Sequence, residues 1–578
     1  MPRRSRTLRV GFCALIACLL YLPALGRPAL WEPDEGRYAE IAREMVQSGD
    51  YVTPRDDWVR YFEKPPLMYW AEALAIKLLG ANEFAVRLPA ALFSIGQVAI
   101  TCALAEVMFG AAVGLAAAAS LAFSPLFFGF SRFATLDPAL SFFVTAALGC
   151  FYMAARAAPG FARGAARGWL YLAAAMMALG TLSKGPVAVV ISGGVALVYM
   201  VIEGRGRELV RIPWLGCALI YVAITAPWFV LVARRNPDFL EFFFVHEHLQ
   251  RYLSSTEHAW GPYFFIPVTL AGMWPWIYFV PRAIAQLRRH ENENRASIDR
   301  SALLLLLIWF GFVLVFFSVP RSKLGSYILP GLPPLAILAG YGLCSLCRAN
   351  ERRARRVLSA FTLVNIGLAA VAVPVLIAIA RHHGMPALGV DGAIALGAVA
   401  GGAVAAFAVA RDSRRLPYAI AAIIVGSAAM CGTLVKARGD AAALLSYRGL
   451  ARAILPEVAR GCVLASYHHI VQSLPFYCGT RELLVGYRGE LAPGGATPDA
   501  LGSFIDSDRE LMELWASARC VVLIVNRSDL ANLTVNLNPR PTTLATEGKK
   551  LAISNRPPAN LPVTRDRIPA ASSGTIAP

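Results

Sequence analysis

Apolar runs of about 17 to 25 residues recur along the chain, the length at which a helix crosses a hydrocarbon core of roughly 30 Å. Thirteen intervals qualify: 8–25, 84–108, 111–130, 138–155, 169–182, 186–202, 213–233, 262–281, 301–319, 327–346, 357–380, 392–410 and 416–435. Helical periodicity inside them is weak, as expected where lipid or other helices surround every face. The fifth and sixth intervals meet at a tight junction, "SKGP". The first is not expected to be a cleaved signal peptide: "YLPALGRPALWEP" offers no clean small-residue cleavage site, and the chain stays hydrophobic afterwards.

Composition agrees with this pattern. Of the 578 residues 57% are hydrophobic and 16% charged, with a mean hydropathy of +0.53. A soluble protein of this size could not bury so much apolar surface. The net charge of +18 comes largely from alternate loops. Arg3, Arg4, Arg6 and Arg9 precede the first span, and clusters such as Arg205/Arg207/Arg211 and Arg352/Arg353/Arg355/Arg356 follow on the same side. The positive-inside bias therefore predicts a cytoplasmic N-terminus. It also removes the charge as a sign of nucleic-acid binding. An odd number of spans places the tail, from 437, on the opposite side. Eight of eleven cysteines fall in or beside predicted spans, whereas Cys462, Cys478 and Cys520 lie in the tail, enough for one disulfide and one leftover thiol.

Three non-cytoplasmic pieces are large: 26–83, 234–261 and the tail 437–578. In the tail, "GCVLASY", "ELLVGY" and "CVVLIVN" read as short buried strands, which predicts a small α/β domain. From about 535 Pro, Thr, Asn and Ser dominate, and the last twenty or so residues are expected to be disordered. In the first loop, "PDEGRYAEIAREMVQSG" has Pro33 and two acids at a helix start and Gly49 at its stop. Tyr38, Ile41, Ala42 and Met45 share one face; in "PPLMYWAEALAIKLLG", Leu67, Trp70, Leu74 and Leu78 do the same. Both read as amphipathic helices lying on the membrane surface.

Charge in the external loops is the candidate chemistry. Asp34 and Glu35 also suit a helix first turn simply by complementing its dipole. Glu63 and Lys64 stand just before Pro65–Pro66, where a lysine can bind a lipid phosphate or only snorkel. Arg132 and Asp137 lie in one short loop, Lys184 in another, and Arg321, Lys323 and Tyr327 in a third; His246, His248 and Arg251 follow the seventh span. Acids and bases converging at one face suggest an anionic phospholipid substrate, with bases on phosphate and acids on the other reactant. No Gly-rich phosphate loop is present, so no nucleotide is expected. No cofactor is required; a divalent metal is an open alternative, with Glu63, His246 and His248 as candidate ligands. A transporter would place charge at mid-membrane in paired broken helices, which this pattern lacks.

The first loop, "PDEGRYAEIAREMVQSGDYVTPRDDWVRYFEKPPLMYWAEALAIKLLGANEFAVRLPAAL", resembles that of bacterial polyprenyl-phosphate-sugar glycosyltransferases, in the superfamily of the protein O-mannosyltransferases. Within them it is most similar to the lipid A 4-amino-4-deoxy-L-arabinose transferases. "SRFATLDPAL", "TLSKGP" and "RSKLGSYILPGLPPLA" resemble later loops of that family. The resemblance implies a GT-C fold: an α-helical polytopic membrane domain over 1–436 with about thirteen spans, and a periplasmic α/β domain over 437–578. It implies an undecaprenyl-phosphate sugar donor, a lipid A acceptor, an inner-membrane location and inverting transfer, with another sugar or acceptor as the alternative. It implies Asp34 and Asp137 as catalytic carboxylates. It implies Lys64 as a donor-phosphate ligand; the loop charges themselves add Arg37, Lys184, Arg251, Arg321, Lys323 and Tyr327 as candidate phosphate or lipid ligands, and Glu35, Tyr61 and Glu63 as candidate substrate-positioning groups.

Overall fold

The computed structural model describes residues 3–157, 161, 164–245, 259–289, 296–410, 412–495, 500 and 502–557. The chain forms two compact units. The first holds Met1–Leu25, Glu63–Leu67 and Ala90–Asp440; the second holds Gly26–Phe62, Met68–Pro89 and Ala441–Pro578. The loop after the first apolar helix thus belongs, for the most part, with the tail.

The first unit is helical. Among the described residues of the chain, nine helices are long and apolar enough to cross a membrane, from Glu83–Phe109 to Leu416–Ala442. The other predicted intervals fall on the helix Arg3–Tyr21, on the shorter apolar helices Ala111–Ala122 and Val187–Ile202, and on a broken segment. Two intervals expected as continuous helices are interrupted, each at a proline. Ala111–Ala122 stops before Pro125, which opens a new helix to Phe130. Phe265–Gly272 stops before Pro275, and helical backbone resumes at Trp276. Proline lacks an N–H and its ring disfavours helical backbone at the preceding residue. The tight "SKGP" junction is real: one helix ends at Lys184, Gly185 turns at φ 86°, and Val187 starts the next. Only glycine adopts that backbone without strain.

The second unit contains a six-stranded sheet. Its strands are β3 (Val463–Tyr467), β4 (Glu482–Val485), β5 (Phe504–Ile505), β6 (Val521–Asn526), β7 (Thr542–Glu547) and β8 (Lys550–Ser554), numbered after a small hairpin, β1 (Arg55–Asp56) and β2 (Val59–Arg60), in the first loop. The order is β5-β4-β3-β6-β8-β7, with β3, β4, β5 and β6 parallel and β8 antiparallel to β6. The three strand motifs read from the sequence are β3, β4 and β6. The hairpin β7–β8 was hidden by the polar composition beyond 535, yet β8 is buried from Leu551 to Ser554. Residues 558–578, expected to be disordered, lie outside the described residues.

Both faces of the sheet are covered. Leu450, Ile454, Val471 and Leu474 pack on Leu464, Val522 and Ile524 on one side. Leu511, Trp515 and Leu533 pack on Ala465, Leu523 and Val525 on the other. Such burial explains why β3 and β6 read as continuous apolar runs. Cys462 and Cys520 form a disulfide at the start of β3 and β6, beside the Val463 N–H donating to the Cys520 carbonyl at 2.8 Å. Cys478 is the leftover thiol.

The first-loop helix runs Asp34–Ser48 and is capped by Gly49. Read from the sequence as an amphipathic helix, it is buried at every residue from Glu35 to Met45, charged ones included. It packs on the tail helix Ser473–Cys478, with Gly36 at the contact, while Arg43 pairs with Glu40 and Arg37 with Glu490. The second loop helix, Leu67–Leu79, keeps its leucine face open, with Leu74 58% and Leu78 73% exposed.

The disulfide closes a loop with a sequence separation of 58. Replacing both Cys462 and Cys520 by alanine is expected to cost the tail about 3–4 kcal/mol through the freed unfolded chain. Limited proteolysis of the full-length protein in urea checks this: tail cleavage should begin at lower urea, with cleavage between the membrane helices unchanged.

Candidate functional site

In the first unit, Asp137 opens the helix Asp137–Ala157, while Lys184 ends the helix Gly164–Lys184. The Lys184 ammonium donates to Asp137 and lies 4.5 Å from the centre of the Tyr327 ring. Three sequence-predicted residues from three separate loops thus form one cluster. Their side chains are mostly buried, Asp137 at 8% and Lys184 at 14% exposure. An acid at a helix N-terminus and a lysine at a helix C-terminus each complement the local helix dipole, and here the two meet.

Lys323, expected beside them as a phosphate ligand, is 2% exposed and donates to the carbonyls of Trp260 and Pro320. Those bonds anchor its loop, while Arg321 beside it stays exposed. Arg132 likewise spends its guanidinium on the carbonyls of Leu20, Tyr21 and Pro23, which end the first helix. Lys64 lies 3.9 Å from the Glu63 carboxylate and donates to the Glu63 carbonyl at 3.1 Å. His246, His248 and Arg251 lie outside the described residues. Of the candidate metal ligands only Glu63 is described. Among the described residues, Glu457 with Cys462 and Cys520 is a trio close enough to share a metal, but the two sulfurs are already joined.

In the second unit, the motif "EPDEGR" resolves residue by residue. Glu32 accepts the backbone N–H groups of Gln472 and Ser473 at 3.0 and 2.9 Å. Asp34 is the exposed member, with 39% of its side chain open and one oxygen 3.6 Å from Arg37. Glu35 is fully buried and paired twice with Arg87, at 2.8 and 2.7 Å. Arg87 also donates to the carbonyls of Pro28 and Ala29. Gly36 meets the tail backbone: a Cβ there would lie 2.6 Å from the Ser473 nitrogen. Arg37 pairs with Glu490 and lies 5.7 Å from the centre of the Tyr61 ring.

Glu35 was expected to position substrate. With no exposed surface and both oxygens on Arg87, it holds the loop instead. Arg37 was expected to bind phosphate. Its charge is already divided between Asp34 and Glu490, and Tyr61 supports it from beneath. This arrangement orients Asp34 and leaves it open to a reactant.

Around this motif the second unit buries more acid than base. Asp56, Asp57, Glu44 and Glu72 are each pushed well above the usual carboxylate range, chiefly by burial. Asp57 accepts the Glu482 N–H at 2.8 Å, and its own carboxyl faces that of Glu482. Burial raises Glu482 to about 8, against a hydrogen bond from Ser466. Burial likewise raises Glu32 to about 7, against the N–H groups it accepts.

A sequence profile of dolichyl-phosphate-mannose-protein mannosyltransferases matches residues 7–243. The undecaprenyl phosphate-α-4-amino-4-deoxy-L-arabinose arabinosyl transferase of Erwinia tasmaniensis is 34% identical over 376 residues, 64% of this chain and 65% of that protein. The chain therefore spans slightly less than two thirds of that relative. The transferase of the same name from Aeromonas salmonicida is 33% identical over 386 residues, 66% of this chain and 68% of that protein. The chain belongs to this arabinosyl transferase family.

The crystal structure of ArnT from Cupriavidus metallidurans bound to undecaprenyl phosphate superposes with a TM-score of 0.83 at 28% identity, covering 95% of this chain and 98% of that one. The fold is accordingly that of a multi-pass GT-C membrane protein with a C-terminal sheet domain. In this member of the arabinosyl transferase family, Glu490 and Arg87 escaped the sequence reading. Glu490 lies more than 450 residues from the Arg37 it pairs with, and Arg87 sits in an unremarkable helix start, "EFAVRLPAAL". Only the i, i+3 spacing of Asp34 and Arg37 was a readable signal.

Three outcomes follow from this geometry. Arg87→Ala removes the counter-ion of the buried Glu35 and should cost about 3–5 kcal/mol, whereas Asp34→Asn should leave the unfolding midpoint within experimental error. Gly36→Ala forces a Cβ against backbone that cannot yield and should cost about 1–3 kcal/mol. The third is pH dependence. Folded pKa values raised to about 7 and 8 at Glu32 and Glu482 contribute stability that is full below their unfolded value near 4.3. It is lost as pH rises through the folded values. Amide exchange in 26–62 should therefore accelerate, beyond the intrinsic base catalysis of exchange, between pH 6 and 9.

Proposed function

We propose that this chain transfers 4-amino-4-deoxy-L-arabinose from undecaprenyl phosphate to a phosphate of lipid A in the bacterial inner membrane. The observation that carries the reading is the likeness, over 95% of the chain, to ArnT bound to undecaprenyl phosphate. The names of the sequence relatives supply the sugar. The N-terminus is cytoplasmic and the tail periplasmic. The arginine-rich alternate loops support that orientation, as does the Cys462–Cys520 disulfide, which suits an oxidising compartment.

The reaction needs no nucleotide, because the leaving group is a lipid phosphate. The acceptor phosphate oxygen bonds to the sugar's anomeric carbon as the bond to the donor phosphate breaks, with inversion. The acceptor already carries a nucleophilic oxygen near neutral pH, so it has no proton that must first be removed. Asp34 then acts on the sugar: its open carboxylate pairs with the ammonium group and with positive charge developing on the ring. Arg37 and Glu490 fix its direction. Lys64, Arg251 and Arg321 supply cations for the donor phosphate. The Asp137–Lys184–Tyr327 cluster sets the field at a second loop. Capping a lipid A phosphate with a cationic sugar lowers the negative charge of the surface, which weakens polymyxin and other cationic peptides.

Mass spectrometry of lipid A tests the proposal in a donor-producing host lacking its own transferase, with membrane levels matched. The wild-type chain should add the aminoarabinose increment. Asp34→Asn should lower the rate roughly 100-fold or more. No increment from well-expressed wild type would move the assignment to another sugar or acceptor. Transfer to protein is the first to examine, given the mannosyltransferase profile.

A further inference from the structure

The sheet of the second unit has a topological switch point. The chain leaving β3 turns into the helix Ser473–Cys478, whose Leu474 packs on the Leu464/Val522 face. The chain leaving the adjacent parallel strand β6 turns into the helix Arg527–Thr534, whose Leu533 packs on the opposite face. Neighbouring strands that send their helices to opposite faces leave a crevice at their carboxyl ends, where open α/β sheets bind ligands.

Polar side chains meet at these strand ends. Tyr467 ends β3, and the carboxylates of Asp508, which follows β5, and Asp529, which follows β6, both bear on its hydroxyl. His468 is exposed, has a left-handed backbone (φ 58°) and stacks on Tyr467 with ring centres 3.9 Å apart. Non-glycine residues held at positive φ cluster at functional sites. His469 Nδ1 lies 3.4 Å from the Asn526 amide, which donates to Asp529 at 3.1 Å. The other ring nitrogen of His469 is buried with no hydrogen-bond partner among the described residues. Lys550 faces Asp529 too, and burial lowers its ammonium to about 8, against Glu482, Glu32 and Asp529.

We infer that this crevice is a second ligand site, and that it binds an amino sugar. Two carboxylates flanking a phenol repel phosphate and favour an ammonium group. Asn526, His469 and the Tyr467 hydroxyl offer donors and acceptors for ring hydroxyls, and the open side of the His468 ring offers a flat surface for a sugar face. A metal fits less well, since no trio here brings its ligand atoms together among the described residues. The identity of the sugar rests on the proposed function; the class of ligand rests on the crevice. The amino sugar could arrive on the polyprenyl donor or on the modified lipid.

The test is photo-crosslinking of the full-length protein in detergent with a diazirine derivative of 4-amino-4-deoxy-L-arabinose. Label is expected in peptides covering 467–472 and 526–529. Free 4-amino-4-deoxy-L-arabinose should compete at least tenfold better than L-arabinose, and Asp529→Asn should lower labelling tenfold or more. His468→Ala, at an exposed position, gives the same reading should Asp529→Asn fail to fold. Competition by the undecaprenyl-phosphate-linked sugar, or by aminoarabinose-modified lipid A, supports the site and names its source. No label in these peptides, or equal competition by L-arabinose, overturns it. Because the readout is binding, a chain that labels here yet leaves lipid A unmodified would count against the proposed function alone.

Discussion

Much of the second unit depends on one close approach. At Gly36 the first-loop helix comes within a hydrogen atom's reach of the tail backbone at 472–473, and Glu32 grips the two N–H groups of that same turn. No side chain fits between them. The contact joins segments more than 430 residues apart in sequence, and it fixes the position of Asp34 between two anchored neighbours. Glu35 below and Glu32 before it are both committed to structure. What remains open to chemistry is the one carboxylate with nothing else to do but pair loosely with Arg37.

Burial of charge sets the cost of this arrangement. The helix Asp34–Ser48 buries Glu35, Arg37, Glu40, Arg43 and Glu44 together. Bidentate pairs answer part of the desolvation: Arg87 with Glu35, and Arg43 with Glu40 at 2.7 and 2.6 Å. The acids left over are answered by protons, which is why several carboxyls titrate high. A joint of this kind is specific, because a partner surface lacking the matching donors would strand charge in a dry interior. It is also responsive to pH, because part of its adhesion is protonation.

The two units use polar groups differently. In the first, Arg132 is spent on backbone carbonyls that the end of the first helix leaves unsatisfied, and Lys323 on carbonyls of the loop around it. A cation in a loop of this chain can thus anchor backbone, and composition alone does not separate that role from ligand binding. Lys184 differs because a carboxylate and an aromatic ring, not carbonyls, face its ammonium.

The sequence by itself determined where apolar helices form, the strands β3, β4 and β6, the helix at Asp34 and the family motif that contains it. Each of these rests on local periodicity, turn chemistry or a contiguous run of residues. It also singled out Asp137, Lys184 and Tyr327, each as a charge or phenol in a short loop, without showing that they touch. The tertiary structure decided the rest: that Glu35 is a buried anchor, that Glu490 and Arg87 complete the site's support, that Lys323 caps a loop, and that a polar tail segment folds as the hairpin β7–β8. Those outcomes hang on partners hundreds of residues away or on the far side of a sheet, and no local pattern encodes a distance. Gly36 joins the two kinds of knowledge. Its identity is plain in the sequence, but the reason for it is the backbone that arrives from the other end of the chain.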